Sequence, residues 1–196
     1  MKKFFITGID TNVGKTIISS ILVEKFQADY WKPIQAGDLN NTDSMKIDEL
    51  VTFSEKVIHD EAYRLKQPLS PHAAAELDNI DIRLDCITMP KNKRNIIIEG
   101  AGGLMVPLNK QDLIIDLIAH LEIPVILVSK HYLGSINHTI LSIESLLFRK
   151  INVKGIIFNG IENKFTESII KSYCGVKILG RIPLIQNINK STIKGL

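Results

Sequence analysis

The chain has only two cysteines in 196 residues, Cys86 and Cys174, far apart in sequence. So few cysteines exclude a disulfide framework or a cysteine zinc site, and both thiols are expected to be reduced and partly buried. Long apolar runs are also missing. "FFITGI" behind Lys2 and Lys3 superficially has the look of a signal peptide, but Asp10 ends it early and no small-residue cleavage site follows. No other run approaches the roughly 18–20 residues of a membrane span. Charge of one sign is scarce too, with a formal net charge of +3. The densest basic cluster, "KNKR" at 91–94, reads as a solvated turn before a strand rather than a nucleic-acid patch. What remains is a cytoplasmic enzyme or ATPase with neither a membrane nor a nucleic acid as partner. The 45% hydrophobic content suits one globular domain, residues 1–196, with a substantial core.

Short apolar runs alternate with helical patterns along the whole chain. "KFFITG", "YWKPI", "NIIIEGA", "PVILVS", "VKGIIFNGI" and "VKILGRIP" read as six strands. Near-continuous β-branched runs such as "NIII" and "VILV" suit strands buried on both faces of a parallel sheet. "KTIISSILVEKF", "DSMKIDELVTFS", "DLIIDLIAHL", "INHTILSIESLLFRK" and "FTESIIKSY" carry apolar residues at helical spacing. This alternation predicts an α/β fold, one doubly wound domain of the P-loop NTPase type, with a mostly parallel sheet and helices on both faces. Ligands in such folds bind beyond the carboxyl ends of the strands.

"GIDTNVGKT", residues 8–16, follows the first strand and opens the first helix. Gly8, Gly14, Lys15 and Thr16 fit G-x-x-x-x-G-K-[ST], a loop whose backbone N–H groups hold nucleotide phosphates. Lys15 is placed to reach the β- and γ-phosphates and Thr16 to offer its hydroxyl to Mg²⁺, while the helix N-terminus adds its positive dipole end. Position 9 is Ile, where partition and insertion ATPases of similar layout usually carry lysine. That absence weighs against a dimer-activated switch.

Lys32 ends the second strand just before Pro33. Two readings stand level: a solvated strand end, or a fixed ammonium that offsets charge on a transferring phosphoryl group. Glu99 closes the apolar run of "NIIIEGAGGLMVP", where phosphate-loop enzymes place an acid for Mg²⁺. The competing reading is a strand cap facing water. Gly100, Gly102 and Gly103 follow it with a backbone free of obstructing side chains. Asp43 in "NNTDSM" is a second candidate acid, and Thr42 or Asp43 also suits a helix cap.

Together these motifs resemble the dethiobiotin synthetase family, ATP-dependent carboxylases of biotin synthesis. The similarity runs nearly end to end, through "TGIDTNVGKT", "KPIQAG", "NTD", "SPH", "IIEGAGGLMVPL", "PVILVS", "LGSINHTILS", "GIIFNG" and "GRIPL". The resemblance implies Thr16, Asp43 and Glu99 around Mg²⁺, Lys15 on the phosphates and Lys32 as the catalytic lysine. It places ATP against Asn12, Val13, Gly14, Ile17 and the Gly100, Ala101, Gly102 segment. Asn159 is expected to read the adenine edge, with Gly160, Pro183, Leu184 and Ile185 around the base. Gly134, Ser135, Ile136 and Asn137 at a helix start are expected to meet the substrate carboxylate across a homodimer interface, with Lys32 and Ala36 also touching substrate. A carboxylate suits the free N–H groups of a helix start, as does a plain Ser cap. Two departures stand out. Ala36 replaces the Ser or Thr that often precedes the glycine of the "KP" motif, and the loop from Gly37 to Asp43 is short.

The implied reaction joins CO₂ to 7,8-diaminononanoate as a carbamate, phosphorylates it with ATP, and closes a cyclic urea with loss of phosphate. It needs no covalent nucleophile, and none is evident. His72 in "SPH" and His138 in "INH" read first as structural groups at helix starts, and second as acid–base groups. The main rival reading is a partition-type switch ATPase, which would call for lysine at position 9. A membrane-binding form would also need a basic amphipathic C-terminal helix, and "NINKSTIKGL" is polar and short. An amidotransferase-type synthase would need a further glutaminase domain, and a non-catalytic nucleotide-binding module is a third possibility.

Overall fold

The apolar runs become strands whose successive residues enter two different cores. The computed structural model describes residues 1–91 and 93–196. Asn92 of the "KNKR" cluster lies outside the described residues. In its first half the chain forms β1 (Lys3–Gly8), α1 (Lys15–Phe26), β2 (Asp29–Trp31), β3 (Ile34–Ala36), α2 (Asp43–Leu50), β4 (Ile58–His59), β5 (Tyr63–Leu65) and α3 (Pro71–Asp78). The second half forms β6 (Ile96–Gly103), α4 (Ile114–Leu121), β7 (Val125–Lys130), α5 (Ser135–Phe148), β8 (Val153–Asn159), α6 (Lys164–Cys174), β9 (Ile178–Ile182) and α7 (Lys190–Gly195).

Seven strands make one sheet in the order β4-β2-β6-β1-β7-β8-β9, with every pairing parallel. The period of two in a strand sends Phe5, Trp31, Ile96 and Ile98 to one face, where they pack with α3 and α4. It sends Ile6, Tyr30 and Ile97 to the other face, against Ile18 and Leu22 of α1, Ile47 of α2 and Ile170 of α6. The predicted doubly wound α/β architecture is therefore present. Each fully buried isoleucine contributes roughly 2 kcal/mol by leaving water. Among the described residues no helix is long and apolar enough to cross a membrane.

Three sequence expectations are corrected here. "YWKPI" is two strands, not one: β2 ends at Trp31, and β3 pairs instead with β5 in a separate two-stranded sheet. Pro33 has no N–H for a ladder and holds its predecessor extended, so the chain leaves the main sheet at Lys32. The helix expected to run from Asp43 to Ser54 stops at Leu50, because Glu24 of α1 captures the amides beyond it. Its carboxylate accepts from Thr52 N at 2.6 Å, Thr52 Oγ1 at 2.5 Å and Phe53 N at 3.2 Å. Cys86 is exposed rather than partly buried, whereas Cys174 is half-buried. The short C-terminal segment does form α7, capped by Asn189, with Ile193 buried and the helix lying on α1.

Candidate active site

The phosphate-loop residues sit at the carboxyl end of β1, beside the carboxyl ends of β2 and β6. Gly14 caps α1 with φ +95°, in the left-handed region that favours glycine. Lys15 opens the helix, is 8% exposed, and donates from Nζ to the carbonyl of Asp10 at 3.0 Å. Burial pulls its pKa down to about 8; Lys32 deepens the fall, while Glu99 and Asp43 oppose it. A buried ammonium held on its own loop is ready to exchange that carbonyl for a phosphate oxygen.

Behind the loop, three oxygen-bearing side chains from distant parts of the chain converge. Thr16 Oγ1 lies 3.0 Å from Asp43 Oδ1 and 2.9 Å from Glu99 Oε1. Glu99 is 1% exposed, which rules out a strand cap facing water. Its other oxygen, Oε2, accepts from the Tyr30 hydroxyl at 3.0 Å. Lys32 Nζ pairs with Asp43 Oδ2 and reaches Glu99 Oε1 at 3.4 Å. The level readings of Lys32 are thus resolved: it is a buried ammonium between two carboxylates, not a solvated strand end. Burial would lower its pKa, but Glu99 and Asp43 outweigh that and raise it, so Lys32 stays charged. Burial would raise the Asp43 carboxyl, and Lys32, Thr16 and Lys46 together hold it below the usual range.

A hydroxyl and two carboxylates are hard donors of the kind that hold Mg²⁺ beside nucleotide phosphates. Among the described residues no group of three or more His, Cys, Asp or Glu could hold a metal. The Thr16, Asp43 and Glu99 set mixes one hydroxyl with two carboxylates, a donor chemistry that fits a hard cation. Asp43 takes its place despite the short loop before it. Thr42, not Asp43, caps α2 by accepting from Met45 N at 3.2 Å. Gln35 steadies the approach by donating to the Gly37 carbonyl at 2.9 Å and accepting weakly from Asp43 N at 3.4 Å.

These groups line a cavity of about 860 Å³. Asn12, Gly14, Lys15, Thr16 and Ile17 form one wall; Lys32, Ala36 and Asp43 form a second; Glu99, Ala101 and Gly102 close a third. Other expected site residues lie elsewhere. Val13 turns its side chain into the core and offers its carbonyl to Asn159 Nδ2 at 2.8 Å. A side-chain carbon at Gly100 would meet the Phe5 ring at 2.8 Å, so strand packing alone demands glycine there. Gly160 donates its N–H to the carbonyl of Ile182 at 2.8 Å, and Asn159 stands opposite Ile182 where β8 and β9 end, so Pro183, Leu184 and Ile185 follow directly on from that pairing. Leu184 is largely exposed.

Gly134, Ile136 and Asn137 are exposed at the start of α5, and Ser135 is buried. The helix is capped by Gly134 at φ +102° with no side-chain cap bond, so the plain Ser-cap reading does not hold. His138 bonds the Tyr132 hydroxyl through Nδ1 at 2.7 Å. It lines a separate recess of about 420 Å³ with Ile9, Asp10, Met105 and Leu141. His72 bonds Ser70 Oγ at 3.0 Å at the start of α3. The sequence reading missed Tyr30, Gln35 and Lys46. Tyr30 and Gln35 flank the "KP" pair, and Lys46 stands one turn after Asp43; those positions were the available signal.

Comparison with known proteins follows the same lines. A family model described as an AAA domain matches residues 2–192. The ATP-dependent dethiobiotin synthetase BioD of Christiangramia forsetii is 55% identical over 92% of this chain and 87% of its own. That of Cytophaga hutchinsonii is 50% identical over 98% of this chain and 94% of its own. Among solved structures, the septum site-determining protein MinD complexed with Mg-ADP from Pyrococcus horikoshii superposes with a TM-score of 0.60 at 15% identity, covering 100% of this chain and 86% of that one. A ParA family ATPase from Chlorobium tepidum gives 0.52 at 14% identity, covering 99% and 97%. Those two likenesses establish the P-loop NTPase-like fold. Full-length identity to the synthetases goes further: the chain belongs to the ATP-dependent dethiobiotin synthetase family.

Proposed function

We propose that the 860 Å³ cavity is where this chain, an ATP-dependent ligase of biotin biosynthesis, binds nucleotide and diamine together. The reaction converts 7,8-diaminononanoate, CO₂ and ATP to dethiobiotin, ADP and phosphate. One amine attacks CO₂ and loses a proton to give a carbamate. A carbamate oxygen takes the γ-phosphoryl group and ADP leaves. The second amine then attacks the carbamoyl carbon, the C–O bond to phosphate breaks, and the cyclic urea closes with loss of a proton.

In this reading residues 1–196 act as one catalytic domain. Lys15 and the loop amides hold the β- and γ-phosphates. Thr16, Asp43 and Glu99 would hold Mg²⁺, which supplies charge neutralisation on the phosphates. Lys32, fixed between Asp43 and Glu99, meets negative charge on the carbamate and on the phosphoryl group in transfer. Asn159, whose Nδ2 is on the Val13 carbonyl, would offer Oδ1 as the acceptor for the exocyclic amine of adenine. The exposed start of α5 suits a substrate carboxylate, presented across a homodimer interface. Use of ATP and a soluble small-molecule substrate fits a cytoplasmic location.

The observation that carries the reading is the convergence of Thr16, Lys32, Asp43 and Glu99 beside the phosphate loop. The test is dethiobiotin formation from 7,8-diaminononanoate, bicarbonate and ATP, with and without Mg²⁺, by wild type and Lys15→Ala. Product from wild type with Mg²⁺, and none from a folded Lys15→Ala protein, is expected. Equal turnover by the variant would overturn the assignment.

A further inference from the structure

We infer that Tyr30 is a positioning residue for the cation site, holding Glu99 so that one carboxylate oxygen faces Thr16. The inference rests on the proposed metal role of Glu99. In the β2–β6 ladder Tyr30 stands opposite Ile97. Glu99 lies two residues on from Ile97 and so shares its face, which puts Tyr30 and Glu99 in a diagonal cross-strand relation. The Tyr30 ring is fully buried in the core under α1, and a phenylalanine would fill that space as well. The hydroxyl is what a phenylalanine would lack, and it donates to Glu99 Oε2 at 3.0 Å.

The two oxygens of Glu99 are thereby divided. Oε2 is engaged from below by Tyr30, while Oε1 faces Thr16 at 2.9 Å and Lys32 at 3.4 Å. A carboxylate with one oxygen tethered cannot rotate about its terminal bond without breaking a buried hydrogen bond. Its remaining oxygen is aimed at the side where the loop hydroxyl and a nucleotide-bound cation meet. Hydrogen-bonded partners of metal-ligating carboxylates commonly set affinity in this way. The hydroxyl also satisfies a buried charged oxygen that would otherwise be left unpaired.

The experiment is calorimetric titration of Mg²⁺ into the full chain saturated with ADP, for wild type, Tyr30→Phe and Glu99→Gln. Tyr30→Phe is expected to weaken Mg²⁺ binding about tenfold or more, with ADP affinity in EDTA nearly unchanged. Saturating Mg²⁺ should then restore most of the turnover, a split that a general loss of stability does not produce. If Glu99→Gln weakens Mg²⁺ binding and a folded Tyr30→Phe protein does not, this inference fails and the metal assignment stands. If Glu99→Gln itself has no effect, the metal assignment fails and the inference with it. Should Tyr30→Phe not fold, wild-type protein labelled with 3-fluorotyrosine carries the test. Of its four tyrosines, Tyr63, Tyr132 and Tyr173 are assigned by their own Phe variants. The Tyr30 fluorine resonance is expected to move when Mg²⁺ joins the ADP complex, and a stationary resonance overturns the inference.

Discussion

Asn159 leaves no room for a side chain at Gly14: its Nδ2, bonded to the Val13 carbonyl at 2.8 Å, stands 2.1 Å from where a side-chain carbon would lie. Glycine at φ +95° is therefore demanded twice, by backbone conformation and by this close approach. Gly14→Ala should displace Asn159 and distort the loop amides. Strain of about 1–3 kcal/mol at such a position predicts a fall in ADP affinity of roughly tenfold or more. Calorimetry with ADP, with circular dichroism as the folding control, measures it. Unchanged affinity in a folded variant would show that the loop tolerates the clash.

Lys32→Gln should lower turnover at saturating ATP by roughly 10² or more, because a charge contact aimed at the transferring group is lost. Nucleotide affinity should change far less, since the loop amides and Lys15 remain. The ammonium also neutralises Asp43 and Glu99, so the variant should bind Mg²⁺ no more weakly than wild type. Dethiobiotin formation beside ATP and Mg²⁺ calorimetry checks both. Collapse of ATP affinity with full turnover at saturation would make Lys32 a binding residue instead.

A homodimer is expected to cover the exposed apolar side chains around the start of α5. Leu133 is fully exposed and Met105 and Leu141 are about half exposed, at 53% and 52%. Leu141→Glu should shift the protein toward monomer in sedimentation velocity and raise the KM for 7,8-diaminononanoate. A wild-type protein that is monomeric and fully active at the same concentration would remove this expectation.

The Glu24 clasp predicts how stability depends on pH. Burial would raise this carboxyl, yet the bonds from Thr52 and Phe53 together hold its pKa below the ordinary value. A carboxyl lowered in the folded state contributes stability that is present above its unfolded pKa and is lost as pH falls through the folded one. Glu24→Ala should therefore cost roughly 1 kcal/mol at pH 7, a figure already reduced for solvent screening. The gap from wild type should narrow below about pH 4.5. Urea unfolding at neutral and acid pH decides it; a gap that is constant or wider in acid refutes the charged clasp.

The phosphate loop, five of the six strand runs and the acidic residue Glu99 within β6 were legible because each is a local pattern. Gly14, Lys15 and Thr16 follow a strand and open a helix at fixed spacing, and the near-continuous apolar runs "NIII" and "VILV" are the mark of parallel strands covered on both faces. Pro33 was visible too, but its consequence depended on which strand was available to pair with β3. The end of α2 at Leu50 was hidden for a similar reason. Its helical pattern continues in sequence, and a carboxylate 28 positions away removes the amides.

Thr16, Asp43 and Glu99 could be named as candidates from their motifs, Asp43 and Glu99 each with an innocent alternative beside it. The tertiary structure settled that they meet, across 27 and 83 positions of chain, and that Lys32 lies between the two carboxylates. It alone put the Tyr30 hydroxyl on Glu99, since cross-strand neighbours follow from register, which no single stretch of residues encodes. Residue type and spacing carry what the local backbone can do. Burial, charge pairing and the choice of partner strand arise only when distant segments exclude water from one another.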